Sequence, residues 1–181
     1  MKVHLDFDKP HWNAVSGFFM VLFLILAVTA LVYLLMYNPH KSVHSAVLKT
    51  AENIQSFYRD QPGFWKLSTQ SAHENKLDKP LARYAKEYDI QIGQGLDGAM
   101  SLPSDQNFNI VLKNLNKSAC INLTELPTSG ENLLMLQKIT IINESGETEF
   151  SWGGENGLPI KKYAARKVCL PTDNVIVWTF L

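Results

Sequence analysis

From Gly17 to Tyr37 the chain runs twenty-one residues without a charge, and Thr29 is the one clearly polar side chain apart from two tyrosines. At about 1.5 Å per helical residue such a run covers roughly 30 Å, the thickness of a bilayer's hydrocarbon core. A helix on the surface of a globular core keeps a polar stripe, and this run has none on any side. The pattern predicts a membrane-spanning helix, or one buried among copies of itself. The run is too long for a secretory signal, and no small-x-small cleavage site follows it.

The pattern then becomes periodic. Asn38-Pro39 ends or kinks the apolar helix, because proline lacks the N–H and crowds the preceding turn. Val43, Val47, Ala51, Ile54 and Tyr58 follow at near-helical spacing, with Lys49, Glu52 and Arg59 between them. This predicts a helix over 41–59, continuous with the span through the kink, that stops at Gln61-Pro62-Gly63. Residues 60–106 read as polar and irregular. One short helix is predicted there, from Lys79 to Tyr88, with Asp78 as cap and Pro80 in the first turn.

From 107 the texture is that of strands. Phe108–Leu112, Gln137–Asn143 and Glu147–Trp152 are β-rich, the last two joined by a hairpin at Glu144-Ser145-Gly146. A short helix over Lys117–Leu126 carries Cys120. Gly153–Gly157 is loop, and Pro171-Thr172-Asp173 a turn. Asn174–Leu181 alternates with period two and ends the chain as an interior strand. The fold class is α+β, a long N-terminal helix packed on a mainly antiparallel sheet. The boundaries are 1–16 for a head or leader, 17–60 for the long helix, 61–106 for a variable αβ region and 107–181 for the sheet domain.

Charge narrows the function classes. The 181 residues carry 17 basic and 17 acidic side chains, a net charge of zero. That gives no clustered basic surface for nucleic acid. Lys2 and Lys9 before the apolar run balance Lys41 and Lys49 after it, so the positive-inside rule does not orient it. Cys120 and Cys169 both follow the run. If this part is exported they can pair, closing a loop that stabilises by about 4 kcal/mol in the chain-entropy model; in a reducing compartment they are two buried thiols. Without clustered histidines they make a poor zinc site.

Motifs that suggest chemistry do not hold together. His40 and His44 have the i, i+4 spacing of helical metal ligands but no matching carboxylate, and read as solvated. Gly93, Gly95 and Gly98 match the dinucleotide fingerprint, yet Leu102-Pro103-Ser104 leaves no room for the helix that must receive the pyrophosphate. A glycine-rich turn is the plainer reading. Sequon patterns at Asn116, Asn122 and Asn143 are expected by chance. His73 has no partner in a recognisable context, and Ser151-Trp152-Gly153-Gly154 is no nucleophile elbow. No enzymatic activity, cofactor or metal is expected.

The last third resembles the type IV pilins of the b class, minor subunits included. The resemblance rests on Phe108-Asn109-Ile110-Val111, on Lys117-Ser118-Ala119-Cys120-Ile121-Asn122-Leu123, on Ile139-Thr140-Ile141-Ile142-Asn143, and on Cys169 followed by Asn174–Phe180. These segments keep their order and spacing across about 75 residues, and the long apolar helix with Pro39 agrees. The resemblance implies that Cys120 and Cys169 form a disulfide. It also implies that Gly17-Phe18 is a prepilin peptidase junction, with Phe18 N-methylated. The fifth residue after that junction, glutamate in most pilins, is Leu22 here, which implies a minor pilin or pilin-like protein rather than a major subunit.

The implied role is assembly. The helix anchors the chain in the inner membrane, single-pass with the C-terminal domain in the periplasm, and later packs against other subunits in an extracellular filament. Val43, Val47, Ile54 and Tyr58 would bind the sheet to the helix. Implied partners are the lipid bilayer, other pilin subunits, inner-membrane pilus assembly proteins and prepilin peptidase. Two readings from other classes stand beside it. One is an uncleaved bitopic scaffold of a pilus or secretion machine. The other is a membrane-anchored ligand-binding or sensor module with a pocket at Trp65, Trp152 or Trp178.

Overall fold

A computed structural model describes residues 14–36, 39–94, 106–125 and 136–181 of the chain. It divides into two compact units, residues 1–38 and 39–181. Residues 1–13 of the predicted head, the junction at Tyr37-Asn38 and the glycines after Gly93 in the fingerprint lie outside the described residues, and residues 14–16 of the head belong to the first helix instead.

The first unit contains α1 (Ala14–Met36). Thr29 is accommodated in it because its Oγ1 donates back to the carbonyls of Ile25 and Leu26, at 3.0 and 2.9 Å. Side chains are described over 17–32, a stretch shorter than a bilayer's apolar core. Among the described residues no helix is long and apolar enough to cross a membrane.

The second unit is an α+β domain. Its first helix, α2 (Pro39–Tyr58), starts with proline at the position where a missing N–H costs nothing. Val43, Val47, Ala51, Ile54 and Tyr58, the residues whose spacing predicts the helix, are all buried. The helix ends in a train of rings. Tyr58 packs on Phe64, Phe64 on Phe108, and Phe108 stacks on Phe180, with centroids 5.5, 4.7 and 5.4 Å apart. These contacts tie the end of α2 to the middle of the sheet.

Two short helices follow, α3 (Thr69–Glu74) and α4 (Lys79–Ala82). Among the described residues the sheet has five strands, β1 (Asp89–Gly93), β2 (Phe108–Leu115), β3 (Leu136–Asn143), β4 (Gly146–Ser151) and β5 (Asn174–Phe180), in the order β1-β2-β5-β3-β4. Every pairing is antiparallel. Helices α5 (Lys117–Thr124) and α6 (Lys162–Val168) complete the domain. The C-terminal strand is central, as its apolar sequence predicts, but its burial does not alternate. Ile176, Trp178 and Phe180 share the face of the hydrophobic core with Ile139 and Ile110, and Val177 and Thr179 on the other face are buried as well. Thr179 satisfies its hydroxyl there by donating to Asn109 Oδ1 at 2.8 Å.

Several elements differ from the sequence pattern. The helix predicted over Lys79–Tyr88 closes after Ala82 and continues as turns. Asp78 does not cap it, because its carboxylate binds His73 Nδ1 at 3.0 Å instead. Three elements were not predicted: α3, β1 and α6. Residue 60–106 is therefore not wholly irregular, since β1 within it forms one edge of the sheet.

Candidate functional site

The corner around α5 brings together α2, α6, β2 and β5. Asn116 caps the helix, its Oδ1 accepting from the Ala119 amide at 2.9 Å. The next turn carries Cys120, fully buried and disulfide-bonded to Cys169, with Cα atoms 5.9 Å apart. Cys169 ends α6, so the bond joins α5 to the C-terminus of α6.

Both neighbours of Cys169 are held by asparagines. Asn143 Nδ2 donates to the Val168 carbonyl at 2.9 Å and to Asn174 Oδ1 at 3.2 Å. Asn174, with no exposed surface, accepts from the Leu170 amide at 2.8 Å and donates to the carbonyls of Leu170 and Leu115, at 2.8 and 2.9 Å. One buried amide thus links the bridge segment, the end of β2 and the start of β5. On the opposite side His44 Nε2 donates to the Leu123 carbonyl at 2.7 Å. His44 is 4% exposed. It is not the solvated histidine of the sequence reading but a buried link between α2 and the last turn of α5. The side chain of His40 lies outside the described ones.

The other predicted site residues fall in α1 or at the start of α2. Gly17 and Phe18 both lie on helical backbone, inside α1, and Phe18 is 65% exposed. Peptidase cleavage between them requires the first turn of α1 to open. From Phe18 to Leu26 every side chain is apolar and exposed, which leaves the helix apolar on all sides. Leu22 is among them. Pro39 is the first residue of α2.

A cleft of about 510 Å³ lies between β4 and α6. Phe150, Leu158 and Val168 give it an apolar lining, and Lys161, Lys167 and Glu155 bring charge to it. It contains none of the three tryptophans of the sensor reading. Trp178 is in the core, and Trp65 and Trp152 are about half exposed. Trp152 Nε1 donates to the Leu136 carbonyl at 2.7 Å, and Lys66 Nζ sits 4.0 Å from the Trp65 ring centre. Among the described residues no three His, Cys, Asp or Glu side chains cluster as metal ligands. Burial pushes the Tyr88 hydroxyl above the usual tyrosine range, and neighbouring Glu87 and Tyr84 add to the effect.

The asparagines and His44 are what sequence reasoning missed. In the sequence Asn143 and Asn174 read only as the last residue of one strand and the first of another. No protein-family model matches the chain, and no curated protein matches it in sequence.

Proposed function

We propose that the chain is a membrane-anchored, type IV pilus-like assembly subunit of the minor-pilin kind. The observation that carries this reading is α1. Large apolar side chains stand exposed on every side of it, in a unit separate from a domain that already has its own core. Such a surface is unstable in water and calls for lipid or for other apolar helices. The uncharged run extends to Tyr37, beyond the described side chains, and is then long enough to span a bilayer. The domain that follows supports the resemblance in kind. A helix lies on an antiparallel sheet, the last strand is central, and a disulfide closes the segment before it.

In this mechanism α1 first holds the chain in the inner membrane. It then exchanges lipid for the α1 helices of other subunits, while residues 39–181 present the outer surface. A disulfide in that domain fits export to an oxidising compartment. Leu22 removes the carboxylate that would demand a buried partner, so docking rests on apolar packing alone. The same residue favours a second reading, an uncleaved bitopic scaffold that never enters a filament.

The deciding experiment is the intact mass of the protein from its native membrane, without reducing agent. The pilin reading expects a chain starting at Phe18, heavier by one methyl group and lighter by two hydrogens. A full-length mass starting at Met1 would overturn it in favour of the scaffold.

A further inference from the structure

We propose that the cleft between β4 and α6 binds an acidic peptide in extended conformation, added as a short strand to the free edge of β4. Among the described residues β4 is the last strand of the sheet and pairs only with β3. The hairpin turn fixes which groups remain. With Asn143 opposite Gly146, residues 146, 148 and 150 turn their main-chain groups toward β3, and 147, 149 and 151 turn theirs outward. The chain itself uses the far end of this edge. The Ser151 amide donates to the Asn156 carbonyl at 3.1 Å, the Leu158 amide to the Ser151 carbonyl at 3.2 Å, and Asn156 Nδ2 to the Glu149 carbonyl at 3.3 Å. The loop therefore starts a sixth strand position and leaves it. Among the described residues the amide and carbonyl of Glu147 and the amide of Glu149 remain for a partner strand, which is how exposed edges recruit peptides.

The cleft beside this edge selects for sign. Thr148 and Phe150 enter it from the strand, Tyr163, Ala164, Lys167 and Val168 from α6. Lys161 and Lys167 line it and Arg166 stands on the same helix; none of the three has an ion-pair partner among the described residues. Glu155 is the one acid in the lining. The Glu147 and Glu149 side chains leave on the opposite face of the strand, where Glu149 binds Lys138 at 2.7 Å. The occupant is thus anionic, and apolar enough to lie on Phe150 and Val168. An anionic glycan would answer the lysines and leave the edge amides unused, so a peptide fits more of the site. This inference does not depend on what α1 does.

The test titrates full-length protein in detergent micelles with a fluorescent seven-residue peptide, Glu-Thr-Val-Thr-Glu-Thr-Val, whose glutamates and valines share one face of an extended strand, read by anisotropy. The double variant Lys161→Glu, Lys167→Glu should weaken binding by about tenfold or more. Both lysines are exposed, so folding is spared. Glu147→Pro removes an outward N–H at an edge position that tolerates proline, and should weaken binding several-fold. A peptide N-methylated on alternate amides should lose a similar factor. No binding of the parent peptide, or no loss with the double variant, overturns the site. Equal binding of the N-methylated peptide overturns strand addition, and displacement of the peptide by heparin at lower concentration marks a site for anionic glycan instead.

Discussion

Asn174 occupies the first position of a strand and meets no solvent, so each polar atom of its side chain must find a partner inside the protein. It finds them in the carbonyls of Leu115 and Leu170 and the amide of Leu170. Replacement by alanine removes these bonds and leaves buried main-chain groups unpaired. Asn174→Ala should therefore cost about 3 kcal/mol or more, seen as a lower denaturant midpoint in non-reducing urea titrations. Asn174→Asp keeps the acceptor, loses both donors and buries a charge, and should be no milder. A loss under about 1 kcal/mol for either variant would show that Asn143 and the disulfide alone position the Leu170 segment. Tyr88 gives a separate, pH-dependent effect. Its folded-state pKa lies above the unfolded value, so the folded protein holds that proton more tightly. The associated stability is present below about pH 10 and is lost as pH rises past that value. Tyr88→Phe should flatten the alkaline end of a melting-temperature profile and leave the neutral region alone. None of this is legible in the sequence. Asn143 and His44 bind carbonyls far along the chain, and Asn174 joins one such carbonyl, that of Leu115, to the nearby Leu170, so no local pattern announces these partners.

At the scale of elements, legibility follows the length and regularity of the apolar pattern. Helix α2 was readable because five apolar residues repeat along it and all of them are buried. The β3–β4 hairpin and β5 were readable because β-branched runs are bounded by turn residues. The three elements that escaped are short and held by specific contacts. Helix α3 has six residues and one buried side chain, Ala72; it exists through the reciprocal Ser68–Ser71 capping box. Helix α6 buries only Ala165 and is fixed by the disulfide at its end. Strand β1 is short, and its amide at Ile92 also bonds Thr69 Oγ1 at 2.9 Å. The candidate site divides the same way. The cysteines were visible as a pair, whereas the cleft depends on α6 and could not be seen. The disulfide closes a separation of 49 residues, which in the chain-entropy model stabilises by about 4 kcal/mol. Cys169→Ser should remove an amount of that order from unfolding and lower the protein's accumulation in an oxidising compartment. Normal accumulation and an unchanged denaturation midpoint would mean that packing of α5 suffices without the bond.

At the scale of the whole molecule the two units place opposite demands on their surroundings. The described hydrophobic core is drawn entirely from Val43 onward, and its members reach from α2 through the last strand. Nothing in that core comes from α1. The second unit should therefore fold from its own sequence, while α1 exposes apolar surface that water disfavours. A chain shortened to begin at Pro39 should be monomeric in detergent-free buffer, form the Cys120–Cys169 bond on oxidative refolding, and unfold in one cooperative step. The full chain should self-associate under the same conditions and become dispersed in micelles. Circular dichroism, non-reducing mass and sedimentation of the two chains side by side test both statements. If the shortened chain fails to fold, α1 contributes to the fold of the second unit, and the separation on which its role as an anchor rests is wrong. If it folds but the full chain is also monomeric without detergent, the apolar surface of α1 is covered within one molecule. In that case neither lipid nor a neighbouring subunit is needed to explain it.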